Sequence, residues 1–312
     1  MRYAVTGGAG FIGSHLARAL LPAHEVVIVD DLSSGKKSRI ERLHASGALT
    51  LFKGSVTDRS LLARAFEGVD GIFHLAALVS VPRSVAQPLL SHEVNLTGTL
   101  NALIAARESG VERFVFASSS AVYGESEDLP LHEALEPLPA SPYAVTKVGG
   151  EQYCRLFSSL YGLSTVSLRY FNVFGPEQDP SSMYAAVIPA FIGRLLAGER
   201  PVVHGDGLQT RDFVYVKDVV AANLLAMRSR SEGTFNIGSG RATSILELLH
   251  TIRQLTSARV KPHHGPPREG DVRHSVADIS RAARELGFSP AYTLEEGLRE
   301  TIAWFREHHR SA

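Results

Sequence analysis

The chain of 312 residues has a single cysteine, no excess of charge of either sign and no long apolar segment. Cys154 has no second cysteine to pair with, which excludes an internal disulfide and a structural zinc site built from several cysteines. The 32 basic and 32 acidic residues cancel to a formal net charge of +0. This balance gives no electrostatic reason to expect a nucleic acid or an anionic membrane as partner.

No apolar run approaches the roughly 18 residues that a membrane-spanning helix needs, and the N-terminal MRYAVTGG lacks the apolar core of a secretion signal. We therefore expect a cytoplasmic protein whose partner is a small molecule. The 13 histidines do not suggest a ligand set, because His263 and His264 lie in a Pro/Gly-rich segment and His308 and His309 end a polar helical pattern. No metal site is predicted.

Short β-branched segments alternate with helical patterns through the first half, as in YAVT, EVVIVD and RFVFASS. This rhythm predicts parallel strands joined by right-handed crossovers, which is an α/β doubly wound sheet with a smaller α/β C-terminal lobe. We assign residues 1–170 to the sheet domain, with later returns near 201–237, and 171–312 to a discontinuous second lobe. Helices are predicted near 88–108, 184–197, 218–228, 244–256 and 294–308, and a loop over KPHHGPPREGD.

The stretch TGGAGFIGSH places Gly7, Gly10 and Gly13 between the first strand and the first helix. A tight turn there lets a pyrophosphate approach amides at a helix N-terminus. The next strand ends in Asp30, about 20 residues on, where a carboxylate can accept both ribose hydroxyls of an adenosine. Asp31 follows it, and two adjacent carboxylates would repel a 2′-phosphate, which favours NAD over NADP.

The segment SPYAVTK predicts the start of a helix, because Ser141 is a good N-cap and Pro142 suits the first helical position. Tyr143 and Lys147 then share one face at i and i+4. For the phenol to act as a base near neutral pH, its pKa must fall by about 3 units, worth roughly 4 kcal/mol. We expect the neighbouring cation, the positive end of the helix and a bound nicotinamide to supply this shift together.

These motifs, with VDDLSSG, HLAA, ASSSAVYG, RYFNVFGP and GDGLQTRDFVYVKDVV, run through essentially the whole chain and resemble the extended short-chain dehydrogenase/reductase family, nucleotide-sugar epimerase branch. The resemblance implies a Rossmann fold with NAD. It implies that Tyr143 is the catalytic base, that Lys147 holds the nicotinamide ribose and lowers the phenol's pKa, and that Ser119 bonds the sugar's 4-oxygen with Ser118 beside it.

By the same resemblance, the cofactor site comprises Gly7, Gly10, Phe11, Ile12, Gly13, Asp30, Asp31, Asp58, Leu75, Ala76, Ala77, Asn95, Tyr143, Lys147 and Tyr170. The residues assigned to the nucleotide sugar are Ser118, Ser119, Asn172, Arg211, Arg268 and Ser275. Two assignments have open alternatives. Asp58 either accepts from the adenine amino group or caps a helix, and Asn95 either braces the active-site backbone or is a buried helix amide without catalytic relevance.

The residues after Ser119 indicate which reaction the site performs. The 4,6-dehydratase relatives carry an Asp-Glu pair at the positions of Ser120 and Ala121, and the decarboxylases carry Glu at Ala121, because those reactions need additional proton transfer. This chain has neither, so the resemblance implies 4-epimerisation of a UDP-sugar through a transient 4-keto sugar.

The sugar is predicted from Ser275, where epimerases restricted to glucose and galactose carry a bulky tyrosine. A serine leaves room for an N-acetyl group, and Val79 departs from the lysine of the galactose-type enzymes. UDP-GlcNAc/UDP-GalNAc is therefore expected, with UDP-Glc/UDP-Gal as an additional pair. A UDP-glucuronate 4-epimerase and a non-catalytic NAD-binding sensor stay open as alternatives. A homodimer through the helix near 88–108 and the helix that begins at Pro142 is expected by analogy.

Overall fold

The computed structural model describes residues 1–44, 48–179, 187–267 and 272–309. The strands in chain order are β1 (Arg2–Thr6), β2 (Glu25–Asp30), β3 (Leu49–Lys53), β4 (Gly71–His74), β5 (Arg113–Ser119), β6 (Ser164–Tyr170), β7 (Asn172–Phe174), β8 (Val202–His204), β9 (Thr210–Arg211), β10 (Phe213–Tyr215), β11 (Gly233–Ile237), β12 (Thr243–Ser244) and β13 (His263–Gly265).

The helices are α1 (Phe11–Leu20), α2 (Lys37–His44), α3 (Arg59–Ala65), α4 (Val81–Ala86), α5 (Pro88–His92), α6 (Gly98–Glu108), α7 (Pro142–Tyr161), α8 (Val187–Leu196), α9 (Val216–Arg228), α10 (Ile245–Thr256), α11 (Ser280–Leu286) and α12 (Leu294–His309). A π-helix spans Glu93–Thr97, and a 3₁₀-helix spans Ser120–Tyr123.

Seven parallel strands form the main sheet in the order β11-β6-β5-β4-β1-β2-β3. Strand β1 lies between β2 and β4, so that Ala4 is opposite both Val27 and Ile72. Strand order reverses at this point, and the crevice at the carboxyl ends of β1 and β4 is where such sheets bind ligands. The predicted doubly wound sheet is confirmed.

Helices cover both faces of the sheet and bury its apolar side chains. On one face, Leu16 of α1 and Val219 of α9 are fully buried in one core cluster. On the other face, Leu62 of α3, Leu103 of α6 and Phe157 of α7 lie in a second cluster. Burying each such side chain contributes about 1.5–3 kcal/mol, which is why the periodic apolar positions of these helices point inward.

The second lobe is built on a third cluster, in which α8, α10 and α12 pack around fully buried side chains such as Phe305. Paired short strands complete it: β7 with β10, β8 with β13 and β9 with β12. Strand β11 returns to the main sheet beside β6, within the range 201–237 where returns were expected. The exact division at residue 170 stays a prediction.

Two local predictions differ from the structure. Residues 263–265 form the edge strand β13 in the segment predicted as a loop, because the N–H of His263 donates to the carbonyl of Pro201 and aligns the strand with β8, a tertiary pairing that local composition does not reveal. The single helix predicted near 88–108 is interrupted by the π-helix at Glu93–Thr97. Such widened turns are frequent at functional sites.

Among the residues described, no helix combines the length and apolar character that crossing a membrane requires. The same residues contain no group of three or more His, Cys, Asp or Glu side chains placed to hold a metal ion.

Candidate active site

The glycine turn between β1 and α1 is tightly packed. The N–H of Gly10 donates to the carbonyl of Gly7 over 3.0 Å, and Gly7 has φ +70°, a conformation that favours glycine. A Cβ on Gly7 would lie 2.8 Å from the backbone nitrogen of Ala76, and one on Gly13 would lie 2.2 Å from the oxygen of Gly7. Any side chain at either position would therefore displace backbone.

Helix α1 begins at Phe11 without a side-chain cap at Gly10. The first amides of an α-helix have no partner within the helix, so this end offers N–H groups and the positive end of the helix dipole to an anion. A close, side-chain-free turn leading to such a helix fits the diphosphate of NAD. The assignments of Gly7, Gly10, Phe11, Ile12 and Gly13 to the cofactor agree with this geometry and stay predictions.

Asp30 ends β2 beside the glycine turn. Its Oδ2 accepts from the N–H of Ala9 at 2.9 Å, and its Oδ1 accepts from the N–H of Leu32 at 2.8 Å. Burial raises the pKa of Asp30, and these two backbone hydrogen bonds oppose the increase. An ionised carboxylate has about four lone-pair sites, so capacity remains for two ribose hydroxyls. The exposed Asp31 accepts from the N–H of Ser33.

A buried arginine near this site was not found from the sequence. Arg39 of α2 donates from Nη1 to the carbonyl of Ala9 at 3.0 Å, and its Nε lies 3.2 Å from Oε2 of Glu177. The carboxylate of Glu177 also pairs with Arg18 at 2.8 Å. Because Glu177 is far along the chain, no local pattern indicates this contact. Arg39 is engaged with these protein groups beside two carboxylates, an arrangement that suits NAD better than a 2′-phosphate.

The segment after β4 lies against the glycine turn. The N–H of Leu75 donates to the carbonyl of Thr6 at 3.1 Å, and the N–H of Ala76 donates to Oγ1 of Thr6 at 3.2 Å. Leu75, Ala76 and Ala77 are half-buried at the carboxyl end of the sheet, as a cofactor-contacting segment would be.

Asn95, in the π-helix, holds the backbone of the same segment. Its Oδ1 accepts from the N–H of Leu78 at 2.7 Å, and its Nδ2 donates to the carbonyl of Leu78 at 3.1 Å and to Oγ1 of Thr146 at 3.2 Å. Of the two alternatives for Asn95, these contacts correspond to the one in which it braces the backbone. A direct contact with the cofactor stays a prediction.

Asp58 is the N-cap of α3, with its Oδ1 accepting from the N–H of Leu61 at 3.0 Å. The helix-cap alternative therefore describes its contact in the structure. The role toward adenine stays a prediction.

Helix α7 places Tyr143 and Lys147 at the carboxyl end of β5. Ser141 caps the helix by accepting from the N–H of Ala144 at 3.2 Å, and Pro142 follows at its start, as predicted. The side chain of Ser119 hydrogen-bonds to Tyr143, and Nζ of Lys147 lies 5.7 Å from the centroid of the phenol ring. The structure thus brings all three predicted catalytic side chains together.

The pKa of the Tyr143 phenol depends on burial as well as on the neighbouring groups. Burial raises it above 10, and the hydrogen bond to Ser119 only partly opposes this increase. Nζ of Lys147 donates to the carbonyl of Ala117 at 2.7 Å, and this bond fixes the position of the ammonium relative to the phenol ring. The lowering of this pKa by Lys147, the helix end and a bound nicotinamide acting together stays a prediction.

Lys147 is itself buried, and burial lowers its pKa to about 8, with Glu151 acting in the opposite direction. Glu151 lies one helical turn further along α7 and forms a buried two-point ion pair with Arg169 of β6, at 2.9 and 2.7 Å. The charge of Lys147 therefore interacts with the carboxylate of Glu151, which is itself paired with the guanidinium of Arg169. No pattern in the sequence indicates this pair.

Ser118 faces this ion pair rather than the site. Its Oγ donates to Oε1 of Glu151, and the residue is buried. Successive side chains of a strand point to opposite sides, so the contact of Ser119 with Tyr143 turns Ser118 away from it. The predicted contact of Ser118 with substrate does not agree with this placement.

Replacing Arg169 with methionine is expected to destabilise the protein by about 3–5 kcal/mol, because the Glu151 carboxylate would stay buried without its partner. Chemical denaturation of the NAD-loaded protein measures the change. Arg299→Met is the control, since Arg299 pairs with Glu295 on the surface and its loss should cost less than about 1 kcal/mol. If the two substitutions lowered the free energy of unfolding equally, burial would not increase the cost of breaking the Glu151–Arg169 pair.

Tyr170 ends β6 opposite Ser119, and its hydroxyl donates to Oδ1 of Asn223 in α9 at 2.9 Å. The hydroxyl is therefore directed to α9 and the protein interior. A cofactor contact of Tyr170 stays a prediction, and this hydroxyl is not available for it.

The residues assigned to the nucleotide sugar meet around Thr210–Asp212. The N–H of Asn172 donates to the carbonyl of Asp212 at 2.9 Å, and the N–H of Ser275 donates to the carbonyl of Thr210 at 3.2 Å. Arg211 lies buried between them, and Ser275 is only 5% exposed. Arg268 falls outside the described residues.

Asp212 follows Arg211 directly and fixes the loops of the second lobe. Its carboxylate accepts from the N–H and hydroxyl of Ser239 and from the N–H groups of Gly240 and Ala277, at 2.6–3.1 Å. These bonds hold the segment that carries Arg211 in place.

The fold and this site define an NAD-dependent enzyme, and the comparisons with known proteins agree. Residues 3–238 match the NAD dependent epimerase/dehydratase family. The chain is 42% identical over 310 residues to a UDP-glucose 4-epimerase of Mycolicibacterium smegmatis, covering 98% of this chain and 99% of that protein. The chain belongs to the NAD dependent epimerase/dehydratase family.

Two solved structures are similar over nearly the full length. A UDP-N-acetylglucosamine 4-epimerase from Methanobrevibacter ruminantium M1, in complex with UDP-N-acetylmuramic acid, has a TM-score of 0.95 and 44% identity, with 98% of each chain covered. A UDP-glucose 4-epimerase from Thermus thermophilus, in complex with NAD, has a TM-score of 0.90 and 39% identity, covering 98% of this chain and 99% of that one. The predicted family and cofactor are confirmed.

Proposed function

We propose that this UDP-sugar 4-epimerase has UDP-GlcNAc and UDP-GalNAc as its preferred substrate pair, with UDP-Glc and UDP-Gal as the second pair. The observation that carries the reaction is the convergence of Ser119, Tyr143 and Lys147 at the carboxyl end of β5. The 3₁₀-helix that follows begins with Ser120 and Ala121, so it offers no carboxylate at the positions where dehydratases carry their additional acid and base.

In this proposal the protein groups handle the proton and orient the sugar. Ser119 bonds the 4-oxygen, Tyr143 takes the proton from the 4-hydroxyl, and Lys147 binds the nicotinamide ribose. When bound, NAD accepts hydride from C4 and returns it. Loss of the proton and hydride leaves a 4-keto sugar, and their return with hydride on the opposite face of C4 gives the epimer without net redox change. Burial raises the pKa of the phenol, and we expect Lys147 and the positive charge that oxidised NAD would supply to offset this increase together.

The substrate preference rests on the size of Ser275, a buried serine bonded to the segment that carries Arg211. A small side chain there leaves space for an N-acetyl group. Separate incubations with UDP-GlcNAc, UDP-Glc and UDP-GlcA, with products resolved by chromatography, test the proposal. Conversion of UDP-GlcA alone would overturn the substrate choice, and accumulation of a 4-keto-6-deoxy product would overturn the reaction.

Substituting Ser275→Tyr is expected to lower kcat/KM for UDP-GlcNAc at least about tenfold and to spare UDP-Glc, because the added ring fills the space for the N-acetyl group. Steady-state assays with both substrates measure this. Ser275→Ala is the control, since it removes the hydroxyl and keeps the space. If Ser275→Tyr lowers kcat/KM equally for both substrates, Ser275 does not lie beside the 2-substituent of the sugar.

We further propose a homodimer through α4, α5 and α7, which contact each other and carry exposed apolar side chains. Leu89 is 85% exposed, Val85 61% and Val145 52%, which is a concentration of apolar surface on neighbouring helices. We keep the cytoplasm as the proposed location, because the lone, buried Cys154 requires no oxidising compartment.

Leu89→Glu is expected to convert the dimer to a monomer, because it places a charge in an apolar interface. Light scattering coupled to size exclusion measures the mass. Leu208→Glu is the control, since Leu208 is exposed in the second lobe and its substitution should leave the dimer intact. A wild-type monomer at micromolar concentration would refute this assembly.

A further inference from the structure

His74 ends β4 in the middle of the main sheet and has no place in the mechanism above. It is buried, and its ring stacks on Phe116 at a centroid distance of 6.1 Å and an interplanar angle of 20°. Both ring nitrogens have hydrogen-bond partners. Nδ1 lies 2.8 Å from Oγ1 of Thr6, and Nε2 lies 3.0 Å from Oγ1 of Thr99.

The neighbouring hydrogen bonds fix the tautomer of this imidazole. The hydroxyl of Thr99 donates to the carbonyl of Asn95 at 2.5 Å, so its single proton is used and it can only accept from Nε2. Nε2 therefore carries a proton. On the other side, Oγ1 of Thr6 accepts from the N–H of Ala76 and has its own proton to donate to Nδ1.

The result is a chain of donors that all point in one direction: Ala76 N–H to Thr6, Thr6 O–H to His74, His74 Nε2–H to Thr99, and Thr99 O–H to Asn95. A second proton on Nδ1 would leave the buried hydroxyl of Thr6 without its acceptor. Burial and the charge of Lys147 also lower the pKa of His74, to about 3. The imidazole is therefore neutral at physiological pH.

Both ends of this chain reach the candidate active site. At one end is Ala76, whose backbone nitrogen would lie 2.8 Å from a Cβ on Gly7. At the other end is Asn95, whose side chain bonds both backbone groups of Leu78 and also Thr146. Oγ1 of Thr146 in turn donates to the carbonyl of Tyr143 at 2.7 Å.

We propose that His74 is a positioning residue: as a neutral imidazole protonated on Nε2, it holds segment 75–78 in a fixed position relative to the helix that carries Tyr143. The residue touches no reacting atom and acts through Thr6, Thr99 and Asn95. Its effect on turnover rests on the proposed function, because that segment faces the cofactor and Tyr143 faces the sugar. The tautomer does not depend on the substrate.

The first test breaks the chain without changing its shape. Thr99→Val is expected to lower kcat roughly ten- to 100-fold at saturating NAD and to leave the KM for the UDP-sugar nearly unchanged, because the misplacement affects the reacting geometry and not sugar binding. Thr99→Ser keeps the hydroxyl and should restore kcat. Thr301→Val is the matched control, since Thr301 is equally buried and its Oγ1 donates to the carbonyl of Gly297 four residues earlier, in the second lobe. It should lose stability without losing kcat.

The second test reads the tautomer directly in the NAD-loaded protein. Two-dimensional ¹⁵N NMR of the histidine rings should show one neutral ring with the proton on Nε2 that does not titrate between pH 5 and pH 8, and His74→Asn assigns the signal by its loss. The Nδ1–H tautomer, or titration in this range, would overturn the proposal. So would wild-type kcat in Thr99→Val.

The two readouts separate this proposal from the proposed function. If the wild-type protein epimerises no UDP-sugar, the proposed function fails. NAD affinity then replaces kcat as the readout. Thr99→Val must weaken NAD binding several-fold, with Thr99→Ser and Thr301→Val near wild type, or the positioning role is wrong.

Discussion

Turnover in the Tyr143→Phe variant is expected to fall by about 10²–10⁴-fold in kcat, which is the contribution of a positioned acid–base group. The substitution removes one oxygen, the atom that hydrogen-bonds to Ser119, and leaves the ring and Lys147 in place. NAD content should stay at the wild-type level, because the glycine turn and Asp30 are untouched. Kinetics with UDP-GlcNAc and UDP-Glc, together with assay of NAD released on denaturation, measure both quantities.

Tyr215→Phe is the matched control for this prediction. Tyr215 is fully buried in the second lobe and its hydroxyl donates to Oε2 of Glu300 at 2.7 Å, so the variant loses a comparable hydrogen bond, worth about 1 kcal/mol. Its free energy of unfolding should be slightly lower, and its kcat should be unchanged. If Tyr143→Phe retained more than a tenth of wild-type kcat, the phenol would not be the base and the proposed mechanism would be wrong.

The surroundings of this phenol show what a local sequence motif leaves out. The spacing of Tyr143 and Lys147 correctly placed them on one helical face, since that depends only on helix geometry. Their electrostatic relationship depends on burial and on the carbonyl of Ala117, which accepts from Lys147. Neither is visible in a local motif: burial raises the pKa of the phenol, and the carbonyl fixes the position of the lysine charge.

Elements defined by strong local patterns were predictable. The glycine turn, the capped start of α7 and the alternation of strands and helices each follow from residues within a few positions of one another. The features that were missed join residues far apart. Arg39 meets Glu177, Glu151 meets Arg169, and His74 joins Thr6 to Thr99.

Ser118 shows a different limit of sequence reasoning. The motif ASSSAVYG presents several serines at a strand end, and only the strand's alternation decides which faces the site. In the structure, Ser119 contacts Tyr143 and Ser118 contacts Glu151. A motif therefore identified the right strand end but not which of its side chains faces outward.

A Gly13→Ala substitution is expected to abolish NAD binding under ordinary assay conditions, and turnover with it. The added Cβ would lie 2.2 Å from the oxygen of Gly7 and 2.8 Å from Cα of Gly8, both backbone atoms that cannot move aside as a flexible side chain could. The turn must open, and overpacking of this kind costs about 1–3 kcal/mol or more. Because the distortion falls on the amides proposed to hold the diphosphate, NAD affinity should drop by about 100-fold or more, as roughly 3 kcal/mol implies.

Calorimetric titration of NAD into cofactor-depleted protein measures this change in affinity. The control is Gly110→Ala, because Gly110 has φ +68° and open space where its Cβ would lie, so the variant bears backbone strain of about 1–2 kcal/mol at a distance from the site. It should be destabilised and still bind NAD as the wild type does. If Gly13→Ala instead bound NAD normally while losing stability, the close packing of the turn would serve folding alone, and the diphosphate would have to be held elsewhere.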